Sequence, residues 1–204
     1  TRLVGSEMCI RDRGNFTLKN GNVQSTGSYG IFTGNVAGAV DSSLVAKIEK
    51  VTVLDGGINA GSKVELIDVT ATGKDYYAVW SEGDVTIKSG SYSSNDNAVL
   101  GVSEKTSGKM TIEGGTFTAK DNQSMVLGGG YGTPLIKGGT FNKDMSTENA
   151  TLDETLQWKD NGNGTWTTEE KPEEFSNDNE SSDTPAEEIV QVEESDRENT
   201  GSRR

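Results

Sequence analysis

The chain has 204 residues, 32 acidic against 19 basic, a formal net charge of −13, no histidine and a single cysteine, Cys9. Its six arginines lie only at the ends (Arg2, Arg11, Arg13, Arg197, Arg203 and Arg204). These counts exclude a disulfide framework, histidine triads, histidine metal ligands, and any arginine clamp for phosphate or carboxylate between Gly14 and Trp166. An acidic chain without clustered Lys and Arg is not expected to bind nucleic acid or an anionic membrane. No apolar run nears the ~20 residues of a membrane span, so no membrane insertion is expected.

In chain order, the first segment is Thr1 to Arg13. Its string Leu3 to Arg13, LVGSEMCIRDR, resembles the conceptual translation of a transposase adapter used in sequencing libraries. The segment does not carry the pattern that follows, and residues 1–13 are set apart as non-native. On that reading the natural start of the chain lies elsewhere, and a missing signal peptide carries no weight.

Residues 14–144 are rich in Gly, Thr, Val and Asn and contain a repeat. Ile-x-Gly-Gly-Thr-Phe occurs at Ile112 to Phe117 and at Ile136 to Phe141, with a degraded copy at Ile87 to Tyr92. Starts 25 and 24 residues apart mark a stacked-repeat architecture. One predicted strand recurs as Thr17-Leu18, Val51-Thr52-Val53, Val64-Glu65-Leu66, Val85-Thr86-Ile87, Met110-Thr111-Ile112 and Pro134-Leu135-Ile136. Its apolar–polar alternation is the signature of a half-buried strand. Five residues after each anchor come Val23, Ile58, Ala71, Tyr92, Phe117 and Phe141. Between them lie turns such as Asn20-Gly21, Gly56-Gly57, Ser89-Gly90, Gly114-Gly115 and Gly138-Gly139, where glycine permits a sharp bend.

A second predicted strand reads Gly30-Ile31-Phe32, Ala78-Val79-Trp80, Ala98-Val99-Leu100 and Met125-Val126-Leu127. Two strands per repeat and no helical period predict an all-β solenoid of four to five coils. Each coil buries its inner face only by stacking on its neighbours, about 4.8 Å apart. The register is irregular near the start: Leu18 to Val53 is 35 residues and Val53 to Leu66 only 13. Residues 37–50 therefore read as an insertion, and 51–61 as an extra strand.

Residues 145–168 hold Trp158 and Trp166 around Asp160-Asn161-Gly162-Asn163-Gly164. Asn-Gly predicts a tight hairpin rather than a calcium loop, because Gly162 takes a ligand position of the EF-hand pattern. Such a hairpin caps the open solenoid edge. Residues 169–204 are acidic, with Ile189, Val190 and Val192 as their only apolar cluster, and read as a disordered tail.

The strings VTIKSGSY, MTIEGGTF and LIKGGTF resemble the right-handed parallel β-helix proteins of the pectate-lyase-like group. More narrowly, they resemble repeats of secreted or wall-attached proteins of gut Gram-positive bacteria. That resemblance spans roughly Phe16 to Thr168. It implies a secreted or cell-surface location and a structural or adhesive role, with glycan binding as the runner-up and calcium-dependent polysaccharide lyase third. The fold alone does not choose among them.

The enzymes of that group use Gly-His-Gly and Arg-x-Lys strings, or an acidic calcium site with an Arg or Lys base. The first two strings are absent. A lysine base would need its pKa depressed by burial or a cationic neighbour. Lys88, Glu113 and Lys137 share one outward column and read as solvated cross-coil pairs. No catalytic residue and no cofactor are expected. Asp75, Asp96 and Asp121 precede the second strand in successive coils. They could stack as a weak calcium column or serve as ordinary turn residues. On the second strand, one parity turns Phe32, Trp80, Leu100 and Leu127 outward beside Tyr76 and Tyr77, an aromatic face suited to a polysaccharide or host-surface glycan. The opposite parity puts the large residues in the core. The expected oligomeric state is a monomer.

Overall fold

A computed structural model describes the backbone of residues 2–4 and 8–9 and the whole of residues 15–25, 29–34 and 41–172. It is a parallel β-solenoid of about five turns. The described residues contain one short 3-10 turn, Met145–Thr147, and otherwise strands and loops. The chain divides into two units, residues 1–171, whose described part contains the solenoid, and residues 172–204, of which only Pro172 is described.

One sheet of 14 strands contains both arms of the repeat, and a second sheet of 5 strands faces it. In the first arm, Leu18, Ile48, Leu66, Ile87, Ile112, Ile136 and Leu152 stand in one parallel column. In the second arm the column is Val23, Val53, Ala71, Tyr92, Phe117 and Phe141. Ile48, Leu66, Ile87, Ile112, Ile136, Phe117 and Phe141 are fully buried. Each such side chain contributes roughly 1.5–3 kcal/mol by leaving water. The exposed Thr116 beside the buried Phe117 follows from strand alternation. The rings of Tyr92 and Phe117 stack at 5.2 Å and those of Phe117 and Phe141 at 4.9 Å, nearly parallel in both pairs.

The early coils differ from the sequence-based register. The anchor of the second coil is Ala46-Lys47-Ile48, within the continuous strand Asp41–Leu54, so residues 41–50 are not an insertion. Val53 stands in the second-arm column, and Ile58 stands with Ile31 and Val79 in the other sheet. The reason is local. The bend of this coil is made by Lys50 at φ 55, aligned between Asn20 at φ 53 and Asp68 at φ 53. No glycine announces it. From the fourth coil on, the positive φ moves one residue along, to Gly90, Gly115 and Gly139. A Cβ on Gly90 would lie 2.1 Å from the carbonyl oxygen of Val69, so the neighbouring coil itself demands glycine there.

The C-terminal end is closed as expected, with shifted limits. Thr151–Leu152 continues the parallel ladder, and the cap proper is the hairpin Leu156–Asp160 with Trp166–Glu170. Trp166 pairs antiparallel with Phe141, so the hairpin covers the last edge with reversed polarity. Trp158 sets its ring edge-on to Phe141 at 5.7 Å. Gly162 and Gly164, at φ 71 and 79, make the turn. Lys159 pairs with Glu169 at 2.9 Å, and Glu169 also accepts from Gln157. The ordered hairpin therefore takes in residues 169 and 170, which the sequence assigns to the acidic tail. From residue 173 on, the tail, with Ile189, Val190 and Val192, lies outside the described residues.

Two strands within residues 1–13 do enter the ladder: Arg2–Val4 pairs with Asn22–Gln24, and Met8–Cys9 with Ile31–Phe32. An open solenoid edge is a row of unpaired backbone groups that templates whatever chain adjoins it.

Candidate functional site

The second sheet consists of Met8–Cys9, Tyr29–Thr33, Gly57–Ala60, Val79–Ser81 and Leu100–Val102. Its inward column is Ile31, Ile58, Val79, Leu100 and Val126. Leu100 is thus fully buried and not part of an outward face. The sequence reading aligned Ala98 with Ala78. The chain instead runs without a gap from Tyr92, opposite Ala71, so that Val99 takes that level and Leu100 fills the slot of Val79. The inward slot accepts Leu as readily as Val. The outward column is Phe32, Asn59, Trp80, Gly101 and Leu127, and Phe32, Trp80 and Leu127 are half-buried.

Aromatic rings gather around this column. Tyr77 stacks on Trp80 with centroids 5.1 Å apart and planes 24° from parallel. Tyr131 meets Trp80 edge-on at 5.9 Å, and Tyr29 meets Tyr76 at 5.5 Å. Tyr76 is 42% exposed; the others are half-buried. Four of the five tyrosines of the chain lie in this group. Gly101 makes room for it, since a Cβ there would stand 2.6 Å from the Trp80 ring. The Trp80 indole N–H donates to Glu82 at 2.9 Å. Burial, with Tyr77, Glu82 and Tyr76 nearby, pushes the Tyr29 phenol well above its ordinary range. Burial and the adjacent Tyr131 raise Tyr77 as well. Of the two parities that the sequence leaves open, the one with Phe32, Trp80 and Leu127 outward and Tyr76 and Tyr77 nearby matches the strand pairing. Tyr29, Tyr131 and Asn59 carry no such signal: Tyr29 opens the strand Tyr29–Thr33 ahead of the repeated triplet, Tyr131 lies in a loop, and Asn59 belongs to the coil hidden at Lys50. Tyr131 follows Gly128, Gly129 and Gly130, and Asn149 pins the loop by donating to the carbonyls of Leu127 and Tyr131.

Asn59 is the odd member. It is only 9% exposed, and its side-chain oxygen is buried with no hydrogen-bond partner. It stands in the outward column between Phe32 and Trp80.

The acidic column does not assemble. Asp75, Asp96 and Asp121 are exposed, and Asp96 pairs with Lys120 at 3.8 Å. Asp96 and Asp121 line one polar depression with Asn95, Lys120, Asn122 and Gln123, and Asp75 stands outside it. Among the described residues no three carboxylates, cysteines or histidines come close enough together to hold a metal ion. The charged column of the first sheet also pairs differently from expectation. Lys88 takes Glu65 at 2.5 Å and Lys137 takes Asp153 at 3.7 Å, neither being paired to Glu113. Glu65 is level with Thr86, two positions before Lys88 in the preceding coil, a diagonal neighbour that long side chains reach.

The stacked columns, in-register parallel arms and hairpin closure define a β-solenoid repeat protein. No protein-family model matches the chain, and no curated protein or solved structure does either. Among the described residues no helix is long and apolar enough to cross a membrane.

Proposed function

We propose that the chain is a non-catalytic structural or adhesive segment of a secreted or cell-surface bacterial protein, built on a right-handed, pectate-lyase-like β-helix, and that it acts as a monomer. The observation that supports this reading is the continuity of the stack. Both arms keep parallel register over successive coils, and the rings of Tyr92, Phe117 and Phe141 run through the core as one column. Such a ladder makes a stiff rod whose outer face is free to vary. Some of its outer charges pair across coils, as in Lys19–Glu49 at 3.0 Å and Lys88–Glu65. Purified protein incubated with pectins, glucans, xylans and mucin glycans in the presence of Ca²⁺ should release nothing. New reducing ends or unsaturated sugars above a boiled control would overturn the non-catalytic reading.

A second reading, glycan binding, is favoured by one observation, the gathering of Tyr29, Tyr76, Tyr77, Trp80 and Tyr131 on the outer face. Residues 1–13 are proposed to be adapter-derived and dispensable. Their deletion should lower the unfolding midpoint by less than ~4 °C, the shift expected for about 1 kcal/mol in a chain of this size. A larger drop would assign them to the fold.

A further inference from the structure

We infer that the outer aromatic group of the second sheet is a docking strip for a neutral polysaccharide, laid along the stacking direction. The inference rests on the glycan-binding reading and adds the site and the class of sugar. Tyr29, Asn59 and Trp80 belong to three successive strands of that sheet. At about 4.8 Å per strand they span roughly 10 Å along the axis. None of the five rings is part of the buried core, and the most exposed, Tyr76, sits at a turn. Folding alone gives no reason to collect four tyrosines and a tryptophan there. Aromatic faces with hydroxyl rims suit ligands that are apolar on one face and wet at the edge.

The polar groups choose the ligand. The strip offers phenol hydroxyls and the Glu82 carboxylate beside the Trp80 N–H, and the amide oxygen of Asn59 lies buried in the same column. None of these residues is basic, and residues 14–166 contain no arginine. Acceptors and a carboxylate welcome hydroxyl donors and repel uronate or sulfate groups. The Asn59 oxygen is the sharpest sign. A buried acceptor without a partner is costly, and a sugar hydroxyl reaching between Phe32 and Trp80 would supply the missing donor. Gly101 keeps the next position of the column empty, so that Trp80 lies across it.

The test uses the full chain in affinity gel electrophoresis and tryptophan quenching, with xylan, mixed-linkage glucan and mannan as neutral probes and polygalacturonate as the acidic one. At least one neutral probe should retard the protein. Tyr76→Ala and Trp80→Ala should each weaken binding about tenfold, the scale of one lost ring contact. Leu54→Ala, an equally exposed apolar residue on the other sheet, should leave it unchanged. Tyr76 is exposed, so its variant keeps the fold even where Trp80→Ala does not. The inference is overturned by a failure of every neutral probe, by binding of polygalacturonate alone, or by equal losses in Leu54→Ala. Self-association that Tyr76→Ala abolishes, with no sugar bound, would also overturn it and assign the strip to a second copy of the chain. None of these outcomes touches the rod reading, which falls only to catalytic turnover.

Discussion

Phe117 lies in the middle of the aromatic stack, fully buried, with Tyr92 on one side and Phe141 on the other. Phe117→Ala removes the ring from between two others. The neighbouring rings cannot close the gap, because the backbone ladder holds their strands about 4.8 Å apart and fixes each ring to its own strand. The void therefore persists, and the loss belongs in the range of about 3–5 kcal/mol seen when a buried Phe is truncated without collapse. Against a total stability of about 5–15 kcal/mol this is a large part of the whole. Thr116→Ala, one residue away and exposed, should cost no more than about 0.5 kcal/mol. Urea unfolding followed by circular dichroism gives both numbers. A cycle with Phe141→Ala should show coupling of about 0.5–1.5 kcal/mol, the value of one stacked pair. Equal costs for Phe117→Ala and Thr116→Ala, or an absence of coupling, would refute the assigned alternation and the stack with it.

Gly21 and Gly90 occupy the same level of the second arm, yet Ala should be tolerated at the first and not at the second. Gly21 has nothing within 4 Å of its added Cβ, whereas Gly90 has φ 125 and a carbonyl 2.1 Å away. Matched melts of the two Ala variants decide this, and a larger drop for Gly21→Ala would contradict the turn geometry. The phenols of Tyr29, Tyr77 and Tyr92 are all raised, foremost by burial. Stability from keeping them neutral is present below the unfolded value of about 10 and is lost as pH rises toward the folded values. Absorbance titration at alkaline pH should show the native protein ionising later than the urea-unfolded chain. Superimposed curves would count against the partial burial of Tyr29 and Tyr77 and the full burial of Tyr92. Trp158→Ala strips the edge-on ring from Phe141. It should expose the last coil, with earlier hydrogen exchange at Thr140 and Phe141 than at Ile87; uniform exchange would mean that the hairpin is no cap.

The later coils were legible because three near-copies of one string share their spacing. The same place in each copy puts Ile87, Ile112 and Ile136 at one depth, and strand alternation with the constant five-residue step sends Tyr92, Phe117 and Phe141 inward and Thr116 and Thr140 outward. The hairpin was legible for a similarly local reason, since Asn-Gly at residues 161 and 162 dictates a turn whatever surrounds it. No long-range information enters either inference.

The early register and the outer face were decided by tertiary structure. Lys50 adopts a left-handed bend that its side chain does not advertise, held there by coils on both sides at Asn20 and Asp68. Once that bend is missed, Ile48 loses its place and Asn59 drops out of the sheet. Leu100 turned inward for a related reason, since the inner slot is set by strand pairing and admits any apolar residue that fits. The aromatic strip depends on the irregular start of one strand at Tyr29 and on turns of unequal length at Tyr77 and Tyr131, a convergence that has no period to betray it. The repeat was written in the spacing of residues along the chain; the face it presents came from how unequal coils stack.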